Sequence, residues 1–179
     1  MDEDSGLVIQ ARSDRAAFVE LYRRHYDAIF RYCAHRLFDR AAAEDVTSEV
    51  FLKMVENFHG FRGADAQFRN WLYRIATNAV NNHLRRMNRH DRLLQSACKQ
   101  SNNSITDCEE SPERLALLKE AMLALKPRYQ TIITLRFFEN MKMIEIAEVL
   151  GSSPGTVRSQ LARALAKLRK KIASAKREV

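Results

Sequence analysis

The sequence predicts an all-α fold in two small helical domains, and three observations carry that prediction. Apolar residues recur at helical spacing along most of the chain, and no alternating, strand-like run appears. Only 5 Gly and 3 Pro stand among 179 residues, too few for the many turns of an all-β fold. A polar stretch over residues 91–112, with almost no apolar content, separates two periodic halves and reads as a flexible linker. Apolar residues make up 46% of the chain, so each half can bury a modest core.

The elements follow in order. Residues 14–38 form a long helix whose stripe is Phe18, Leu21, Tyr22, Ile29, Phe30, Cys33 and Leu37. A second helix spans 41–58, with Val46, Val50, Met54 and Phe58 on one face, widened by Phe51 and Val55. Gly60 and Gly63 bracket Phe61-Arg62, which makes 59–66 a loop. The third helix, 66–89, buries Phe68, Leu72, Ile75, Ala76, Ala79 and Val80, and its far end is strongly polar. After the linker, Ser111-Pro112 reads as an N-cap with proline at the first helical position. Leu115, Leu118, Met122 and Leu125 make the next stripe, and Pro127 starts a further helix through Ile132, Ile133, Leu135 and Phe138. A short helix over 143–150 ends at Gly151, and Ser153-Pro154 caps a longer one carrying Val157, Leu161, Leu165, Leu168 and Ile172.

Charge is distributed unevenly along this framework. The whole chain carries +8, but residues 61–92 hold +5 and residues 114–179 hold +9. Residues 1–60 and 93–113 are each −3. Two separate basic surfaces fit a polyanion partner, and two ordinary solvated faces are the plainer alternative.

The last two helices decide between them. A short helix, a glycine turn and a longer basic helix make a helix-turn-helix. Gly151 allows the positive φ that ends the first helix, Ser153 caps the second, and Ala147 is small enough for a close crossing. The second helix would lie in the major groove with Thr156, Arg158, Ser159 and Gln160 at its leading end. Arg can pair bidentately with guanine and Gln with adenine. Arg163, Lys167, Arg169, Lys170 and Lys171 lie further along, where phosphate contact is the expectation.

Two stretches then resemble the sigma factors of bacterial RNA polymerase, of the extracytoplasmic-function (ECF) group. One is Asp45 to Lys53 followed by Phe68 to Asn78; the other runs from Glu145 through Gly155-Thr156-Val157-Arg158-Ser159 to Arg169. The resemblance implies a domain over 1–90 that binds core polymerase and captures and melts the promoter −10 element. It implies a linker over 91–112 and a −35-reading domain over 113–179. On the second helix it places Glu44, Asp45, Thr47, Ser48, Glu49 and Lys53 against the clamp helices of the largest polymerase subunit. A phosphate on Thr47 or Ser48 would add charge at that contact. It places Phe61 and Asn78 at a pocket for an unstacked −10 base, with Arg62 and Asn82 nearby and Arg74, Arg85, Arg86 and Arg89 on phosphates. Trp71 and Tyr73 invite a stacking role too, although Trp71 next to Leu72 reads first as core. An anti-sigma factor is the further partner implied. The sequence departs from the family's pattern at Gln160 and Leu165, positions where many members are basic, and at Met141-Lys142-Met143.

No enzyme signature accompanies these motifs. The five histidines are scattered, and no metalloprotease, phosphate-loop or nucleophile motif is present. Cys33, Cys98 and Cys108 form neither a disulfide framework nor a zinc pair, and Cys33 reads as core. No catalysis, cofactor, metal or small-molecule substrate is expected. The acidic start, Met1 to Asp4, and the lack of a long apolar run argue against a signal peptide or membrane insertion and for the cytoplasm. Two rival readings are a dimeric helix-turn-helix regulator that binds an operator, and a protein-binding module with an incidental basic face.

Overall fold

The computed structural model describes residues 6–63, 65–94 and 112–175. Every regular element among them is helical, and the chain divides into two compact units, Met1–Asn103 and Ser104–Val179.

The first unit is built on three long helices. α1 is a single turn, Leu7–Gln10, followed by α2 (Arg15–Leu37), α3 (Arg40–Phe58) and α4 (Asp65–Leu94). Aspartate starts both α2 and α3. Asp14 accepts from the Ala16 amide at 2.8 Å and Asp39 from the Ala42 amide at 2.9 Å, which satisfies N–H groups that the helix cannot. A two-residue corner, Phe38-Asp39, turns α2 into α3, with Phe38 at φ 54. That left-handed conformation costs a side-chain-bearing residue about 1–2 kcal/mol. The core joins Leu21, Ile29 and Cys33 of α2, Val46, Val50 and Met54 of α3, and Phe68, Leu72, Ala76 and Val80 of α4. α1, which is too short to show periodicity, adds the buried Val8 and Ala11 against α2 and α4.

A polar seam crosses this core. Tyr32 shares a 2.8 Å hydrogen bond with Thr77, and one turn on, Arg36 Nη2 donates to Asn81 Oδ1 at 3.1 Å. Both rungs join residues 45 apart, so α2 and α4 run parallel here and are held in one register. Arg36 is only 1% exposed, which its charge does not announce in the sequence.

The second unit comprises α5 (Pro112–Leu123), α6 (Pro127–Ile133), a π-turn over Thr134–Phe138, α7 (Met143–Leu150) and α8 (Pro154–Ala175). Gln130 Nε2 reaches back to the Leu125 carbonyl at 3.0 Å and closes the corner after α5. The π-turn buries Leu135 but leaves Phe137 and Phe138 exposed, so Phe138 is not the core residue that periodicity implied. Ile146 and Ala147 of α7 and Val157, Leu161 and Ala164 of α8 close the core. Gly151, at φ 58, ends α7, and the Ser152 amide bonds back to Ala147 O at 2.9 Å.

Of the expected linker, residues 95–111 lie outside the described residues, and with them Cys98, Cys108 and the Ser111 cap. Residues 91–94 belong to α4, which outruns its expected end at Arg89.

Candidate nucleic-acid and protein interfaces

The helix-turn-helix presents its recognition helix openly. Ser153 Oγ accepts from the Thr156 amide at 3.1 Å and meets the Thr156 hydroxyl at 2.8 Å, so serine starts α8 as expected. Thr156, Arg158, Ser159, Arg163 and Lys167 are exposed. At 3.6 residues per turn, Thr156, Gln160, Arg163 and Lys167 form one row along α8. Arg158 lies on the opposite flank of the solvent face, with Ser159 between. Gln160 is half-buried, and Arg128 Nε of α6 donates to its Oε1 at 2.7 Å. Arg128 Nη2 also approaches Ser152 Oγ in the turn, at 3.4 Å. Arg128 has no apolar neighbour pattern of its own, and only the folded chain reveals this contact across 32 residues.

α4 carries the second basic face. Its apolar stripe is buried, which turns Arg74, Asn78, Asn82 and Arg85 outward in a single row. Arg85 donates to Asn82 Oδ1 at 3.3 Å. Trp71 belongs to the same row and is half-buried rather than core. Its ring stacks obliquely on Phe61, centroids 4.9 Å apart, with Phe68 beneath at 5.5 Å. Phe61 is not open to an unstacked base, which the pocket role implied by the resemblance requires. It is 9% exposed, wedged between Phe68 and Trp71, with its carbonyl held by Arg12 at 3.2 Å. A Cβ on Gly63 would stand 2.5 Å from the Phe61 ring, so glycine is what lets the ring fold under the loop. Arg62 is exposed and donates to His59 O at 2.7 Å. Tyr73 is buried.

The acidic face of α3 is mixed in character. Glu44, Asp45 and Ser48 are exposed, with Glu44 paired to Arg40 at 3.0 Å. Thr47 is corrected: it is fully buried, in the same row as Ala43, Val50 and Met54, and can neither meet a partner nor reach a kinase. Its Oγ1 has no hydrogen-bond partner among the described residues. Leu52 (59% exposed) and Val55 (51%) lie among Glu44, Asp45 and Ser48 on the helix surface. Val55 therefore leaves the core stripe, and both apolar residues join the candidate contact face.

Glu49 joins the two faces of this unit. Its Oε1 holds Lys53 at 2.6 Å and its Oε2 holds Arg86 of α4 at 3.1 Å. The Lys53 hydrogen bond, and after it the bond to Arg86, keeps the Glu49 carboxyl below its ordinary range. Arg86 is thus tied to α3, while Arg74 and Arg85 point away. Elsewhere Cys33 is buried, and no group of three His, Cys, Asp or Glu among the described residues is placed to hold a metal ion. No described helix is long and apolar enough to cross a membrane.

Comparison with known proteins matches these two units to two family models. Residues 21–90 match sigma-70 region 2, and residues 115–168 match sigma-70 region 4. The RNA polymerase sigma-H factor of Pseudomonas aeruginosa is 34% identical, over 91% of this chain and 90% of its own length. The ECF RNA polymerase sigma factor BldN of Streptomyces coelicolor is 31% identical over 92% of this chain, which spans 65% of that longer protein. Among solved structures, CnrH in complex with the cytosolic domain of CnrY superposes with a TM-score of 0.72 at 25% identity, covering 96% of this chain and 97% of CnrH. With region 2 on α2–α4 and region 4 on the helix-turn-helix, the chain belongs to the ECF group of RNA polymerase sigma factors.

Proposed function

We propose that the two units divide promoter recognition between them, α4 engaging the −10 element and α8 the −35 element, while α3 docks on core polymerase. The observation that carries this reading is the outward row Trp71, Arg74, Asn78, Asn82 and Arg85 on α4. An aromatic face beside amides and guanidinium groups is what an unstacked base and its phosphates require. Trp71 supplies the stacking wall and Phe61 buttresses it from below. Asn78 and Asn82 read base edges, and Arg62, Arg74 and Arg85 hold phosphates, while Arg86 braces α4 against Glu49 of α3.

On α8, Arg158, Ser159 and Gln160 read the −35 element with Thr156, and Arg163 and Lys167 hold its backbone. On α3, Glu44, Asp45 and Ser48 together with Leu52 and Val55 meet the clamp helices, with Glu49 and Lys53 at the edge. An operator-binding dimer would leave the α3 and α4 surfaces without a role. The chain acts in the cytoplasm, performs no catalysis and needs no cofactor. CnrH was solved with the cytosolic domain of CnrY. On that precedent an anti-sigma protein holds this chain inactive until it is released.

In vitro transcription tests the reading. The protein is added to bacterial core polymerase on fragmented genomic DNA of its host. Discrete new transcripts that vanish with Asn78→Ala or with Arg158→Ala are expected. Tight duplex binding by the protein alone, with no transcripts, would favour the dimeric regulator instead.

A further inference from the structure

We propose that Arg128, outside the recognition helix, determines base preference at the −35 element by fixing which end of the Gln160 amide faces DNA. The inference rests on the reading of Gln160 as a base contact. A guanidinium has donors only, so the amide end that meets Arg128 at 2.7 Å is the oxygen, and the NH2 group is turned away from α6. The second donor on Ser152 Oγ holds the guanidinium from the side of the turn. A charged donor makes this a stronger bond than a neutral pair.

The chemistry of the bases gives the consequence. A free Gln chelates adenine by accepting from N6 and donating to N7, which uses both ends of the amide. Oε1 keeps a second lone pair, but the Arg128 charge beside it disfavours a further donor such as adenine N6, so Nε2 is the end that Gln160 offers to the base. Guanine N7 and O6, adenine N7 and thymine O4 all satisfy that donor, and cytosine, which shows only an amine, does not. Gln160 then excludes cytosine without selecting adenine over guanine.

The test is selection from a promoter library randomised through the −35 element, using holoenzyme reconstituted from core polymerase and the full chain. Gln160→Ala identifies the contacted position as the one where preference flattens; if no position changes, the base-contact reading of Gln160 fails, and this inference with it. At that position the unaltered protein is expected to disfavour cytosine and to treat adenine and guanine alike. Arg128→Ala and Arg128→Met, which both remove the donor, are expected to raise adenine over guanine there by about fivefold or more, and to have no such effect in the Gln160→Ala background. Uniform weakening on every sequence with a shallower salt dependence would make Arg128 a phosphate contact and overturn the proposal. A wild-type preference in Arg128→Met would assign the effect to bulk and overturn it as well.

Discussion

Thr47 shows how one side chain can sit in the right helix and the wrong environment. Its row, Ala43, Thr47, Val50 and Met54, is the buried face of α3, and its hydroxyl has no partner among the described residues. An unsatisfied buried hydroxyl costs about 1–3 kcal/mol, and valine has nearly the same shape. Thr47→Val is therefore expected to raise the urea midpoint of the protein, by about 1 kcal/mol of stability, and to leave affinity for core polymerase unchanged. A lower midpoint would mean that the hydroxyl is satisfied in solution. Titration offers a second check at this scale. Burial, and after it the charge of Arg31, holds the His35 imidazole below its ordinary value of 6.5. As pH falls, the unfolded chain takes up this proton before the folded one. The contribution of His35 is thus fully present above 6.5 and is lost as pH drops toward the folded value. From about pH 7 to about pH 5, denaturant midpoints should fall more steeply for the wild type than for His35→Asn; parallel curves would contradict the assignment.

Among the elements, helices were legible in the sequence wherever an apolar period met a cap or a glycine. α2, α3 and α7 begin and end, and α8 begins, within a residue or two of these signals, because they act within a single turn. What escaped was set by contacts between elements. α1 is one turn long and exists because Val8 fits beneath α2 and α4. Phe61 is buried because Phe68 and Trp71 receive its ring, and no local signal distinguishes that from an exposed aromatic in a glycine loop. Thr47 was readable, since the spacing 43, 47, 50, 54 is helical and only the family resemblance put it on the surface. The loop between α3 and α4 can be tested optically, because the chain has 1 Trp and it is the one stacked on Phe61. Gly63→Ala would crowd the Phe61 ring. Displacement of that ring should expose the indole and shift Trp71 emission to the red; an unshifted spectrum would show that the loop absorbs the methyl group without moving Phe61. The Glu49–Arg86 bridge between α3 and α4 is mostly solvent-exposed, with Arg86 at 63%. A double-mutant cycle with Glu49→Gln and Arg86→Gln should yield a coupling of about 0.2–1 kcal/mol at low salt that fades as salt rises.

Two basic surfaces on two separate units, rather than one, give the whole molecule its logic. Each half of the chain carries its own positive segment, and on the proposed reading each surface meets a short stretch of DNA, too short to give tight binding alone. Joined in one chain on polymerase, the second contact forms at a high effective concentration, and selectivity arises from the product of two modest preferences. That division has an energetic signature. Asn78 lies in the first unit and Arg158 in the second. Substitutions at such sites add in free energy to within about 0.3–0.5 kcal/mol, whereas neighbours in one network do not. If Asn78→Ala and Arg158→Ala each weaken holoenzyme binding to a promoter by about 1–3 kcal/mol, the double variant should show the sum in a competition assay. Shortfall by more than the additive margin would mean that loss of one element already abolishes use of the other. Promoter capture would then be one concerted step, and the two units would not be independent readers.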